Sequence, residues 1–234
     1  EINKERLITF SDRSNMKKIV GLTLGLACLA AAISANASTS AELVVRGTIK
    51  PAACNLSMTG GGIINYGDIP SGQLSQTAFN PLREMTTPLS VNCGTGSAPF
   101  GLTFTDLQAG SRVTGILSAL GAGYTEVHNF GLGSVAGKNT GGYAVTLRDL
   151  RSPGKTLTAL TRVGEGAAWQ SSDGKVAKSP NQSSWRSGTS LIPAELSQLT
   201  GTIAVRAVIN KGQDLNLARD VTLDGRATLT LVYL

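Results

Sequence analysis

Along this chain apolar and polar residues alternate in short runs broken by glycine-rich punctuation, and helical spacing is nearly absent. In residues 41–50, AELVVRGTIK, Ala41, Leu43, Val45, Gly47 and Ile49 fall on one side of an extended backbone. Glu42, Arg46, Thr48 and Lys50 fall on the other, the period-two pattern of a half-buried strand. PLSVNC (88–93), FGLTFTD (100–106), YAVTLRD (143–149) and TIAVRAVIN (202–210) repeat it. The segment GRATLTLVYL (225–234) sets Ala227, Leu229, Leu231 and Tyr233 against Arg226, Thr228 and Thr230. Terminal residues fray unless something binds them, so a core-like last strand leads to the expectation of a partner for it.

TGGG, NTGG, SPG and SDG punctuate these runs as turns. Many short strands with such turns predict an all-β, antiparallel sandwich with Gly-rich loops. PAELSQLTG (193–201) is the one stretch expected to form a turn or two of helix. The glycine- and serine-rich middle, 110–142, reads as loops and short strands, too sparse in apolar residues for a second core.

Met16 opens MKKIVGLTLGLACLAAAISANA, in which two lysines precede an apolar run from Ile19 to Ile33 and the small-residue signal Ala35-Asn36-Ala37. Residues 16–37 therefore read as a secretory signal peptide. The alternative, a membrane anchor, is opposed by a run shorter than the ~20 residues that span a bilayer. Residues 1–15 precede the signal and read as an upstream extension outside the mature protein. Ser38–Leu234, 197 residues, suits one domain, or at most two small ones. Five of the 21 Lys and Arg and three of the 15 Asp and Glu precede residue 38, which leaves 16 against 12 and a net charge of +4. These charges are dispersed, so no nucleic-acid partner is expected. Cys28 lies in the signal, where a lipoprotein reading would lipidate it, but the preceding Leu-Gly-Leu-Ala disfavours that. Export then predicts a disulfide between Cys54 and Cys93.

Catalytic patterns are weak. His128, the single histidine, cannot form a multi-histidine metal site and has no nucleophile or orienting carboxylate at a telling spacing. SPGK (152–155) matches Ser-x-x-Lys, but Pro-Gly forbids the helix that would align the pair. GLGSVA (131–136) looks like a dinucleotide loop without the strand and helix that such a loop needs. No enzyme, metal or cofactor is expected. Trp169 and Trp185 are open to two readings, stacking platforms for sugar rings or core residues.

RGTIKPAACNL (46–56), INYGDIPSGQL (64–74), the second cysteine in LSVNC (89–93) and the terminal GRATLTLVYL together resemble pilus subunits of the chaperone–usher pathway. More closely, the mature chain resembles a family of exported pilin-like proteins catalogued largely as a domain of unknown function. Its Gly-x-Ile-x-Pro-x-x-Cys start is matched by Gly47, Ile49, Pro51 and Cys54. Its terminal pattern is matched by Leu223, Gly225, Ala227, Leu229, Tyr233 and Leu234. The resemblance implies an immunoglobulin-like sandwich, residues 47–234, that lacks its last strand. Residues 38–46 become an N-terminal extension whose Ala41, Leu43 and Val45 would enter a neighbour's groove, walled by Ala227, Leu229, Leu231 and Tyr233. Implied partners are a periplasmic assembly chaperone, an outer-membrane usher and neighbouring fimbrial subunits, with a surface glycan as candidate receptor. The implied location is the periplasm after export through the inner membrane, and finally a cell-surface fimbria or secretion. Two alternatives stay open: a closed sandwich completed by its own N-terminal strand, and an exported monomer that binds carbohydrate or another surface ligand.

Overall fold

The computed structural model describes residues 42–47 and 53–234. The chain divides by contacts into two units, Glu1–Gly47 and Thr48–Leu234. In the first, residues 42–47 form neither helix nor strand, and Leu43 and Val45 are exposed. The strand expected over 41–50 is thus not formed across 42–47: alternation supplies a face, but a strand also needs a neighbour for its backbone groups. The upstream extension, the signal peptide, Ala41, Ile49 and Pro51 lie outside the described residues.

The second unit is all-β. Its strands in chain order are β1 (Asn55–Met58), β2 (Asn80–Pro81), β3 (Met85–Asn92), β4 (Ala98–Asp106), β5 (Phe130–Gly131), β6 (Ser134–Val135) and β7 (Lys138–Asn139). There follow β8 (Gly141–Arg151), β9 (Leu157–Arg162), β10 (Gln170–Ser171), β11 (Gln182–Ser187), β12 (Glu195–Leu196), β13 (Gln198–Ile209) and β14 (Ala227–Tyr233). One sheet runs β1-β3-β13-β8-β5, with β2 also on β13. The other runs β10-β9-β11-β4, with β12 and β14 also on β4. Every pairing is antiparallel, as expected for a β-sandwich.

Alternation on both sheets makes the core. β3 contributes Leu89 and Val91, β4 Phe100, Leu102 and Phe104, β8 Val145 and Leu147, β11 Trp185, and β13 Leu199 and Ile203. Each such side chain contributes roughly 1.5–3 kcal/mol when taken out of water. The β8–β13 register shifts between Thr200 and Thr202, a bulge that brings Leu150 against Gly201. A Cβ on Gly201 would stand 2.5 Å from Leu150 Cδ2, so a larger residue there would require the Leu150 side chain to shift.

Two expectations are corrected. Residues 193–201 form β12 and the start of β13 instead of a helical turn. Leu196 and Leu199 are both buried, Leu196 pairs with Ala98 and Leu199 with Val91, so sheet packing overrides local propensity. The middle, in turn, does build a small apolar cluster. A 3-10 turn, Ile116–Leu120, sets Ile116, Leu117 and Leu120 on Ala144 and Val208. Those two residues alternate with Val145 and Ala207, so the cluster covers the outer face of the β8–β13 pair.

Candidate functional site: an open seam between the sheets

β14 pairs with β4 from Ala227↔Asp106 to Tyr233↔Phe100, and among the described residues no strand pairs with its other edge. Leu107 N donates to Arg226 O at 2.9 Å, and Leu234 N donates to Pro99 O at 3.1 Å. In an antiparallel ladder the backbone groups of successive residues point alternately toward and away from the partner. Residues 226, 228, 230, 232 and 234 therefore face β4. The N–H and C=O groups of Ala227, Leu229, Leu231 and Tyr233 face the free edge.

On the far side of the seam, the chain leaving β1 makes a 3-10 turn over Thr59–Gly62 and continues through residues 63–67 without a strand partner among the described residues. Gly62, Ile64 and Tyr66 are half-buried, while Ile63 and Asn65 turn outward. Tyr66 is fixed where β2 and β3 leave a gap beside β13. Its hydroxyl donates to Val205 O at 3.2 Å and accepts from Ala207 N at 3.1 Å. Burial pushes that phenol's pKa up.

Between these walls lies a groove of about 380 Å³ whose floor is the sandwich core: Phe104, Tyr143, Val145 and Ile203. Ile64 and Tyr66 line one wall, Leu223 and Leu229 the other. The same three residues Ile64, Tyr66 and Leu223 also line a second groove of about 800 Å³, bounded by Asp68, Ser71, Arg219 and Asp220. One trough thus runs from an apolar half beside β14 into a polar half between the two long loops. Gly225 sets the wall's distance from the floor, since a Cβ there would meet Tyr143 Cε1 at 2.7 Å. Tyr143 stacks on Phe130 at 5.2 Å, and burial, with Asp106 nearby, drives its phenol pKa far up. Asp106, itself buried, accepts from Gln108 N and Gly131 N and so holds the loops at this end.

The four terminal-strand residues therefore part company. Ala227 and Leu229 line the groove. Leu231 packs against the core outside it. Tyr233 is half exposed, and its hydroxyl accepts a 2.7 Å hydrogen bond from Cys54 N. Cys54 is joined to Cys93 by a disulfide that staples the start of β1 to β3. The walls Ile63–Tyr66 and Leu223–Gly225 were not derivable from periodicity. Ile63 and Ile64 are both apolar, which hides the alternation, and the only signal there was the resemblance motif.

The remaining candidates fall elsewhere. His128 Nδ1 accepts from Thr125 N at 3.0 Å in a capping turn, edge-on to Tyr124. Burial holds its pKa below the usual imidazole range, with Lys175 and Lys178 acting the same way and Asp173 opposing. Burial likewise lowers the pKa of Lys178, whose ammonium hydrogen-bonds the carbonyls of Glu126 and Asn129. Ser152 and Lys155 face each other across a tight turn. Residues 134–139 are a two-residue hairpin whose Ala136 and Gly137 take left-handed φ of 51° and 75°. Trp185 is core, edge-on to Phe100, and cannot be a stacking platform. Trp169 carries the Arg162 guanidinium 4.6 Å from its ring centroid. Among the described residues no group of three or more His, Cys, Asp or Glu side chains could hold a metal.

The fold and seam define an all-β, disulfide-stapled sandwich with one edge that no strand covers among the described residues. Residues 43–147 match the family model described as "Protein of unknown function (DUF1120)". The chain is also similar to the uncharacterized protein YhcF of Escherichia coli (strain K12), at 26% identity over 228 residues, covering 87% of this chain and 94% of that protein.

Proposed function

We propose that this chain is a structural or minor subunit of a chaperone–usher fimbria, assembled by donor-strand exchange and contributing to surface adhesion. The observation that carries this reading is the groove: an apolar trough reaching the core, bordered by a strand whose free-edge N–H and C=O groups have no strand partner among the described residues. An added β-strand answers both needs at once, because its backbone pairs with the edge and its alternate side chains fill the trough. Left empty, such an edge invites aggregation.

In this reading the protein is exported to the periplasm, held there by an assembly chaperone, passed to an outer-membrane usher and placed on the cell surface. It acts without catalysis. Leu43 and Val45, both exposed, and Ala41 would serve as the donor residues offered to a neighbouring subunit. The test is deletion of residues 38–45, with Leu43→Arg and Val45→Arg beside it. Variants that accumulate with a chaperone but are no longer captured by another subunit support exchange between chains. Variants that are simply degraded, beside a wild type that is a free monomer, contradict it.

A further inference from the structure

We propose that Tyr233 is a latch that limits how far along β14 an added strand can pair. This rests on the strand-addition reading above and deepens it by placing the entry end and the stop. The free edge of β14 offers four pairing positions, Ala227, Leu229, Leu231 and Tyr233, yet the groove reaches only the first two. At the disulfide end Leu56 and Leu231 pack against the core from opposite rims, and the Tyr233 phenol crosses to Cys54 N.

Cys54 is the fixed side of this latch. Its N–H points away from β3, and its side chain is bonded to Cys93, whose own N donates to Ser197 O at 2.8 Å. Tyr233 is the moving side. It is 50% exposed, so water can take over its hydroxyl when the ring swings out. A strand entering from the open end meets Ala227 and Leu229 first. It pairs with Leu231 and Tyr233 only when the phenol has left the seam.

The experiment follows backbone amides by hydrogen exchange in the full chain recovered from the periplasm, with a synthetic peptide of residues 38–46 as probe. Tyr233→Phe keeps the ring and loses the acceptor, Thr230→Val is a control on the opposite face, and thermal unfolding verifies that all three chains are folded. In the wild type the peptide slows exchange at Ala227 and Leu229 and leaves Leu231 and Tyr233 fast. In Tyr233→Phe protection spreads to residues 231 and 233, and capture is about three- to tenfold faster, the worth of one hydrogen bond. Identical protection and rates in wild type and Tyr233→Phe overturn the latch and leave strand addition standing. Failure of every chain to capture the peptide removes strand addition, and the latch with it.

Discussion

The two ends of the seam between the sheets carry the same kind of sequence and do opposite things. At the disulfide end Leu56 and Leu231 pack against the core, and Tyr233 reaches across to Cys54. A few residues away Ala227 and Leu229, on the same face of the same strand, border an open trough. The difference lies in what stands opposite. β1 is tied to β3 by four register pairs and a disulfide, whereas the chain beyond Met58 turns through Gly60 and Gly61 in left-handed conformations and runs on unpaired. Alternation decides which side chains point inward; the facing rim decides whether they find protein there.

The largest effect expected from disturbing this contrast is at the inward face of β14. Leu229→Asp or Leu231→Asp places a carboxylate against the core and should cost about 2–4 kcal/mol. Thr228→Asp and Thr230→Asp, on the exposed face, should stay within about 0.5 kcal/mol. Chemical denaturation of the four variants reads the contrast, and equal losses on both faces would refute the strand's orientation.

Loosening the closed end comes next. Joining residues 39 apart, the disulfide is worth about 3–4 kcal/mol by the chain-entropy estimate, and strain in the bonded state commonly reduces that. Cys54→Ser with Cys93→Ser should lower the unfolding midpoint accordingly. It should also raise exchange at the β1 amides more than at β13, which β3 and β8 hold from both sides.

The open end can be disturbed from its wall. Gly225→Val drives a side chain into Tyr143 and should cost about 1–3 kcal/mol by overpacking. Strand capture should fall further than stability does, since the wall itself moves. Calorimetry beside a peptide-capture assay separates the two losses.

Much of this was legible in the sequence, and the parts that were not have common causes. The inward faces of β3, β4, β8 and β13 follow from period-two alternation because each strand turns alternate apolar residues into the shared core. The Cys54–Cys93 bond is the pairing expected of the two cysteines that remain once residues 16–37 are read as a signal peptide. Residues 193–201 misled because Ala-Glu-Leu-Ser-Gln has acceptable helix propensity, and only the β4 and β3 neighbours decide otherwise. The Ile116–Leu120 cluster was hidden because its partners, Ala144 and Val208, sit on a face that alternation assigned to solvent. The trough was hidden for a related reason: a wall without a strand partner leaves no ladder pattern to read.

The smallest expected effect lies far from the seam and gives it a reference. His128 is held below its ordinary pKa by burial, so the folded chain prefers the neutral ring. As pH falls below about 6.5, the unfolded chain takes the proton first, and stability is lost progressively until the folded pKa is reached. His128→Gln should flatten that part of the stability–pH curve and leave strand capture untouched.

The central claim is that the open end of the seam is filled by a strand from another chain. It is tested most directly by the native mass of the protein recovered from a periplasm that also holds an assembly chaperone. A one-to-one complex, with exchange slowed at the amides of Ala227 and Leu229, is the predicted result. A free, stable monomer whose Ala227 and Leu229 amides exchange alike with and without the chaperone would contradict it.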